Sequence, residues 1–400
     1  MAAALDGVDL RKSFDGLRVL DFSTTIAGPH CTRMLADMGA EVIKIESAEG
    51  ETMRTRPPLR NGCSTAFGQL NVGKKSLVLD LKSPAAIQIV QRLVSKADIL
   101  VENFRPGVMR RLKLDYGSLR ELNPKLIYCS ISGYGQTGPS AELPAYAPVI
   151  HAASGYEMAH LAYQPGRSRP DYCGIYHADV LTGVYAFGAI SAALHQRHGS
   201  QEGQHIDVSM LESMLSLTLN ELQWSQFEVK PTARPLFGPL ETSDGYVMLA
   251  VASEKTFQSL IKVIGHPEWI DDPRFAKYSD RRDYWADLMD GVERWSRILS
   301  TEKCVADLNN AGVPCSAYRT VAEAMNDPQI AHRGALSEVR DEGGTFKVLN
   351  LPFRMSGAEV SAGKRMATLG EHTLALLKDA GLSQDEISGF AGKRLAPELR

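Results

Sequence analysis

Between residues 18 and 132, short apolar runs alternate with longer segments whose apolar residues recur every three or four positions. The short runs are typical of buried strands, and the longer segments are typical of amphipathic helices. Such an alternation indicates a parallel sheet covered by helices on both faces, so the predicted fold class is α/β. The predicted strands are Arg18–Phe22, Glu41–Ile45, Ser76–Leu81, Ala97–Glu102 and Leu126–Ser132, and the predicted helices include His30–Met38, entered through Pro29, and Pro84–Ser95.

A parallel sheet of this kind binds ligands at the carboxyl ends of its strands. The loops expected at that edge are Thr24–Pro29, after the first predicted strand, Asn103–Pro106, after the fourth, and Gly133–Pro139, after the fifth. One interpretation is a dinucleotide-binding turn, with Glu46 as the acid that binds the ribose. We reject it because the first loop has one glycine, followed by proline, where that turn needs three glycines.

A second pattern begins at Asp179, which precedes a long stretch of small and apolar side chains. The apolar positions in Val180–Leu194 predict a buried helix that packs closely through small residues such as Gly183 and Gly188. Asp179 then lies at or beside the N-terminus of this helix, where a carboxylate is favoured. Two interpretations are open: Asp179 is only the helix cap, or it is a nucleophile for an activated carbonyl.

The composition changes after residue 231. Three of the four Trp fall between residues 232 and 318, a charged stretch with its own predicted strand, Tyr246–Val251, and helix, Glu254–Ile264. We therefore expect a smaller second domain over 232–318, separate from a large domain over 1–222. The segment Asp207–Leu222 is predicted as one long helix that joins the two domains.

Composition and charge exclude several classes of function. The apolar content is 44% and the net charge is −3 with both signs interspersed, so we expect real cores and no nucleic-acid or membrane partner. The six Cys are scattered without a Cys-x-x-Cys pair, which argues against a disulfide framework and a metal site. The acidic N-terminus lacks a signal-peptide pattern, and no apolar run approaches the length of a membrane span. We expect a cytoplasmic protein.

A series of motifs, in a characteristic order, resembles the class III CoA-transferases, a family that also includes the α-methylacyl-CoA racemases. The motifs are Gly16–Phe22, Ala27–Thr32, Leu35–Glu46, Lys74–Lys82, Val101–Gly107, Ser132–Pro139, Asp179–Gly183, Gly203–Met210 and Gly312–Cys315. The resemblance implies a Rossmann-like large domain with a parallel sheet, completed by residues 325–400 after a return linker that begins at 319. It also implies a small α/β domain and a homodimer whose subunits interlock.

The resemblance further implies that Asp179 is the catalytic nucleophile and that coenzyme A enters as a substrate, with no permanently bound cofactor. The partners would be an acyl-CoA donor and a small carboxylate acceptor. The residues that the resemblance assigns to coenzyme A are Ile26, Ala27, Leu79, Lys82, Asn103, Phe104, Arg105, Arg111, Tyr146 and Met210.

The activity itself has alternatives. A racemase needs two acid–base groups facing the carbon next to the thioester, and racemases of the family carry a His-Asp pair where this chain has Tyr146 and Ala147. His151 or His177 would replace that pair only if its ring points into the pocket. The transferase is therefore favoured over the racemase, and a non-catalytic acyl-CoA-binding protein is the third alternative. The acyl donor and the acceptor are not readable from the sequence.

Overall fold

The computed structural model of the protein describes residues 10–228 and 237–391. The described residues fall into two compact units, one within Met1–Leu222 together with Ala331–Arg400, and the other within Gln223–Ile330. The smaller unit contains the stretch 232–318 that the sequence predicts as the smaller domain.

The regular elements follow the chain in this order. The strands are β1 (Arg18–Asp21), β2 (Glu41–Glu46), β3 (Leu59–Arg60), β4 (Cys63–Ser64), β5 (Lys75–Val78), β6 (Ile99–Glu102), β7 (Ile127–Ser132), β8 (Gln204–Ser209), β9 (Leu240–Glu241), β10 (Tyr246–Leu249), β11 (Cys315–Ala317), β12 (Leu336–Asp341) and β13 (Gly344–Leu349). The α-helices are α1 (Ala27–Asp37), α2 (Thr65–Asn71), α3 (Pro84–Val94), α4 (Val108–Arg111), α5 (Tyr116–Arg120), α6 (Ala147–Ala153), α7 (Tyr156–Leu161), α8 (His177–Ser200), α9 (Met210–Leu215), α10 (Leu219–Trp224), α11 (Glu254–Val263), α12 (Tyr278–Asp283), α13 (Trp285–Ser296), α14 (Thr301–Asn310), α15 (Val321–Met325), α16 (Pro328–His332), α17 (Thr373–Asp379) and α18 (Gln384–Ala391). Two 3₁₀-helices cover Thr52–Thr55 and Pro267–Ile270.

The first unit is built on a six-stranded sheet in the order β5-β2-β1-β6-β7-β8. Every neighbouring pair is parallel, so the predicted central parallel sheet is confirmed. The strand β8 pairs along its whole length with β7 and was not predicted. The expected helix over Asp207–Leu222 is wrong, because its first residues extend the sheet and Ser209 then caps α9 by accepting the N–H of Glu212 at 3.3 Å.

Helices cover both faces of this sheet. On one face, α3 packs with Ile89 and Leu93, and α17, from the end of the chain, packs with Leu376 and Leu377. On the other face α1 and α8 form the core. A Cβ atom added to Gly183 of α8 would lie 2.7 Å from the carbonyl oxygen of Ala27, so only glycine allows α1 and α8 to approach this closely.

The helix α8 is longer and more exposed than its sequence pattern predicts. Its buried residues form a stripe, whereas Val180, Val184 and Tyr185 are 44%, 46% and 45% exposed. A Cβ at Gly188 would meet nothing within 4 Å, so the close packing predicted there is wrong. By length and composition alone α8 could cross a membrane, with 33% of its most apolar stretch buried. One such helix is weak evidence, since core helices have the same composition.

The second unit has its own sheet and core. Its three strands are antiparallel in the order β11-β10-β9, and α11, α13 and α14 supply most of the core. Leu260, Leu288 and Leu308 are fully buried there. The unit therefore has its own packed core.

Candidate active site

Asp179 lies in the first turn of α8 and does not cap it. The N-cap residue is Tyr176, which makes no capping hydrogen bond with its side chain, and the helix begins at His177. The interpretation of Asp179 as the helix cap is therefore wrong. Its carboxylate instead faces the start of α1, where the backbone of Ala27 contributes a hydrogen bond.

The surroundings of Asp179 leave its charge poorly solvated. Burial raises the pKa of this carboxyl from its ordinary 3.8 to about 6, and the Ala27 backbone offsets only part of the rise. A carboxylate with a raised pKa is a better nucleophile than an exposed aspartate, and it remains mostly ionised above pH 6. This combination suits covalent attack on a carbonyl.

The helix α1 begins at Ala27, three residues before the predicted start at His30. Its N-cap is Ile26 and Pro29 occupies the first turn, where a missing N–H costs nothing because first-turn donors have no partner inside the helix. The N–H groups of Ala27 and Gly28, which have no partner inside the helix, therefore lie at the helix end that Asp179 faces. Ile26 and Ala27, both predicted to line the path of coenzyme A, are buried at this junction.

A cavity of about 340 Å³ at the carboxyl ends of the strands gathers part of the predicted coenzyme A contacts. Leu79, Lys82 and Phe104 line it together with Phe22 and Thr24. Leu79 is buried and Lys82 is exposed, so the cavity combines an apolar wall with a cation. An adenine ring carrying a phosphate would complement this combination, since the ring packs on apolar side chains and the phosphate is an anion.

Glu46, the acid that a dinucleotide-binding turn would use to bind the ribose, already has partners within the protein. Glu46 is buried, and its two oxygens accept hydrogen bonds of 2.7 Å each from Arg54. Ser76 donates a further hydrogen bond to it at 2.7 Å. Glu46 is therefore part of a structural ion pair.

Other predicted contacts lie apart from this cavity. Arg105 lines a second cavity of about 700 Å³ with Arg110, Glu102 and His205. Burial raises the pKa of Glu102 to about 7. Arg111 is exposed at the end of α4. Arg105 therefore lines a different cavity from Leu79, Lys82 and Phe104.

The last two predicted contacts, Tyr146 and Met210, differ in exposure. Tyr146 is 70% exposed and precedes α6. Met210 is buried and packs in one cluster with Ala178, the residue before Asp179. Met210 therefore packs near the first turn of α8, which holds Asp179, although the two residues are far apart along the chain.

His151 is engaged at the same junction. Its Nε2 accepts the backbone N–H of Ala178 at 3.1 Å, which holds the first turn of α8. The proton of the neutral ring is then on Nδ1, which lies 3.7 Å from an oxygen of Glu157. His151, Cys173 and His177 bring one possible metal-ligand atom each within 4.8 Å of one another. They do not suit a metal ion, because His151 has no free lone pair in this tautomer.

The sequence did not point to the side chains that hold the loop before α1. Asn103 was expected to contact the nucleotide, but its amide binds both backbone groups of Thr24 at 2.8 Å. Glu51, which received no role, accepts the N–H of Thr25 at 2.6 Å. No local pattern identifies Glu51, since the contact depends on how the chain folds back after β2.

The chain is similar to CoA-transferases over most of its length. The family model described as CoA-transferase family III matches residues 14–373. A succinate–glutarate CoA-transferase from Agrobacterium fabrum is 34% identical over 381 residues, covering 91% of this chain and 94% of the relative. An acetyl-CoA:oxalate CoA-transferase from Acetobacter aceti is 37% identical, covering 86% and 89%.

The fold is also similar to solved structures over most of the chain. The crystal structure of a CAIB/BAIF family protein from Brucella suis has a TM-score of 0.81 at 33% identity, covering 92% of this chain and 100% of that chain. A protein from Mycobacterium tuberculosis has a TM-score of 0.82 at 30% identity with the same coverage.

Proposed function

The chain belongs to CoA-transferase family III, and from this premise we propose that Asp179 carries coenzyme A between an acyl-CoA thioester and a free carboxylic acid. The observation that carries the proposal is the position of Asp179. Its carboxylate is half-buried in the first turn of α8, accepts a hydrogen bond from the Ala27 backbone at the start of α1 and has a pKa raised to about 6. It has no cation as a partner in the described part of the chain.

The reaction needs neither ATP nor a metal, because one thioester is replaced by another of nearly equal energy. A carboxylate oxygen of Asp179 attacks the donor thioester, the C–S bond breaks, and an aspartyl-acyl anhydride and the CoA thiolate form. The thiolate then attacks the aspartyl carbonyl, which releases the first carboxylate and leaves an aspartyl-CoA thioester. The acceptor carboxylate repeats these two steps in reverse and leaves as the new acyl-CoA. Covalent catalysis of this kind divides one difficult step into easier ones.

The start of α1 supplies groups for the charge that develops in these steps. Each attack creates an oxyanion, which backbone N–H donors at a helix N-terminus stabilise. Ala27 and Gly28 are the donors that we assign to this role. The nucleotide end of coenzyme A would occupy the cavity lined by Leu79, Lys82 and Phe104, with its thiol arm directed along Ile26 towards Met210.

The arrangement favours the transferase over the racemase. A racemase would need His151 as a free base, but its Nε2 already accepts the N–H of Ala178. Tyr146 is exposed, and Ala147 has no ionisable group. Of His151, Tyr146, Ala147 and His177, only His177 would then be left as a base. Racemisation needs two acid–base groups, because the proton is removed from one face of the carbon next to the thioester and returned on the other.

We propose a small dicarboxylic acid as the acceptor. Both CoA-transferases named above carry dicarboxylates in their names, and this chain covers most of their length. Succinyl-CoA with glutarate or oxalate is therefore the first pair of substrates to test.

We further propose that the protein is a homodimer. Several large apolar side chains on and after α8 are exposed within the first unit, and monomers rarely expose contiguous apolar surface of this kind. They include Val180, Val184, Tyr185, Leu217 and Leu219. A second copy of the chain that covers them would interlock as in the family that the sequence resembles.

The test is a mass measurement with trapping of the intermediate. The protein is incubated with succinyl-CoA or acetyl-CoA and a panel of carboxylic acids, and new acyl-CoA species are detected by mass. Hydroxylamine added during turnover should leave a hydroxamate on the peptide that contains Asp179, and borohydride should reduce the same carbonyl to an alcohol. Transfer without either adduct would indicate direct exchange in a ternary complex and would overturn the covalent mechanism.

A further inference from the structure

The loop between β1 and α1, residues 23–26, is held by side chains from other parts of the first unit. Asn103, which follows β6, binds both backbone groups of Thr24. Its Oδ1 accepts the Thr24 N–H at 2.8 Å, and its Nδ2 donates to the Thr24 carbonyl oxygen at 2.8 Å. One amide side chain therefore fixes the orientation of both peptide groups that flank Thr24.

The neighbouring peptide groups of this loop are fixed as well. Thr25 has a φ of 69°, in the left-handed region that a β-branched residue rarely adopts. An oxygen of Glu51 accepts its N–H at 2.6 Å. Lys44 donates to the carbonyl oxygen of Ser23 at 2.8 Å and forms a buried ion pair of 2.5 Å with Glu51. The surroundings impose the unfavourable conformation of Thr25.

This loop leads directly into Ala27, the residue whose backbone N–H faces Asp179. The residues around Ala27 are closely packed. A Cβ atom at Gly28 would lie 2.1 Å from the Cβ of Ser23, and a Cβ at Gly183 would lie 2.7 Å from the carbonyl oxygen of Ala27. A change in the loop is therefore transmitted to the Ala27 N–H, because the start of α1 cannot move independently of the loop.

We propose that Asn103 is a positioning residue for the transfer reaction, which acts through Thr24 to keep the Ala27 N–H directed at the carboxylate of Asp179. The proposal rests on the proposed role of Asp179 as the nucleophile. It gives Asn103 a different task from the coenzyme A contact that the sequence resemblance implies. Phe104, the next residue, lines the cavity proposed for the nucleotide, and Thr24 of the loop lines the same cavity.

A positioning role has a signature in the pH dependence of turnover. Burial raises the pKa of Asp179, and the Ala27 backbone lowers it, so misdirecting this N–H should raise the pKa further. The titratable and charged groups on the elements packed around Asp179 include His30 on α1, His177 on α8, His151 beside Ala178 and Lys74, which donates to the carbonyl oxygen of Pro29 at 3.0 Å. None of them changes in the variants below.

The experiment compares Asn103→Ala with a matched control, Asn123→Ala, in the full chain. Asn123 is also half-buried in the first unit and also binds backbone, donating to the carbonyl oxygens of Val94 and Ala97 at 2.9 and 2.7 Å. We expect Asn103→Ala to lower kcat by about 10- to 100-fold, as small misplacements of reacting groups do. KM for succinyl-CoA should stay within about twofold, and the acid limb of the kcat profile should move to higher pH. Asn123→Ala should leave both kcat and the acid limb unchanged.

Two results would overturn the proposal. A raised KM with unchanged kcat would make Asn103 a ligand contact, and an equal loss of kcat in both variants would make its effect a general loss of stability. If Asn103→Ala does not fold, Asn103→Ser carries the test, since its hydroxyl replaces only one of the two bonds to Thr24 and the same changes should follow at smaller size. Hydroxylamine trapping of the unmodified protein separates the two proposals. A missing hydroxamate on Asp179 contradicts the proposed function, whereas a trapped Asp179 with no change in Asn103→Ala contradicts only the role of Asn103.

Discussion

The end of β1 presents a buried aspartate, Asp21, to α1, and the first turn of α8 presents a half-buried one, Asp179. The two carboxylates differ in how many hydrogen bonds and cations the protein supplies to them. Asp21, at the end of β1, accepts hydrogen bonds from Thr32 at 2.7 Å and from Lys74 at 3.0 Å. Burial alone would raise its pKa, but Lys74 and Lys44 together with Ser23 and Thr32 hold it at about 2. Asp179 has the Ala27 backbone as its supporting donor, and burial raises its pKa to about 6.

The difference separates a structural carboxylate from a reactive one. A carboxylate with cations and several donors is stabilised as an anion, so its oxygens are poor nucleophiles and removing it leaves cations unpaired. A half-buried carboxylate with few donors keeps its affinity for an electrophile.

The largest expected effect is the loss of turnover in Asp179→Ala. If Asp179 forms the covalent intermediates, kcat should fall by at least about 10⁴-fold, while equilibrium binding of coenzyme A changes little. Asp179→Asn keeps the shape of the side chain and should lose as much activity. Steady-state kinetics together with calorimetric CoA titration measure both quantities. A variant that still exchanges CoA at a tenth of the normal rate would contradict the assignment.

The next largest effect should be on stability and should belong to Asp21. Asp21→Ala leaves Lys74 buried without its carboxylate, which should lower the free energy of unfolding by about 3–5 kcal/mol. Glu41→Ala is the matched control, because Glu41 also pairs with two cations, Arg18 and Lys75, but is partly exposed. Exposed pairs contribute about 0–1 kcal/mol, so denaturant unfolding should separate the two variants clearly. If both variants lost the same free energy of unfolding, Asp21 would be no more important for stability than an exposed carboxylate.

The third prediction concerns the pH dependence of turnover. Only the ionised form of Asp179 attacks, and its pKa is raised to about 6, so kcat should be constant above this pH and fall about tenfold per pH unit below it. Asp21, with a pKa of about 2, contributes nothing in this range. Measuring kcat for CoA transfer from succinyl-CoA between pH 4.5 and 8 tests this expected fall. A rate that stays constant down to pH 4.5 would show that the carboxylate is not the titrating group.

The smallest effect should be a gain in stability in Asp179→Asn. The folded protein binds the Asp179 proton more tightly than the unfolded chain does, so the free energy of unfolding falls as the pH rises from about 4 through 6. Removing the charge should therefore add about 2–3 kcal/mol at pH 8 and little near pH 4. Thermal unfolding at the two pH values measures this difference. A loss of stability at pH 8 would mean that Asp179 supports α8 after all.

Local pattern was sufficient for the central sheet, because buried parallel strands are short apolar runs whatever lies beside them. It failed at β8, where Gln204–Ser209 alternates polar and apolar residues and the following segment is helical, so one long helix was a reasonable but wrong prediction. It also overestimated the burial of α8. An apolar helix has the same sequence pattern whether the protein's own core or another surface covers it.

The sequence by itself determined the family, the central parallel sheet and the identity of Asp179 as the residue to examine, because motif order and apolar spacing are properties of the chain alone. Only the tertiary structure decided that Asp179 is not a helix cap, that Asn103 binds Thr24, and that Arg105 lies apart from the cavity of Leu79 and Phe104. These features depend on contacts between residues far apart in the chain. The solvation of a buried carboxylate, and with it the pKa, is set by such contacts and not by the residues that flank it.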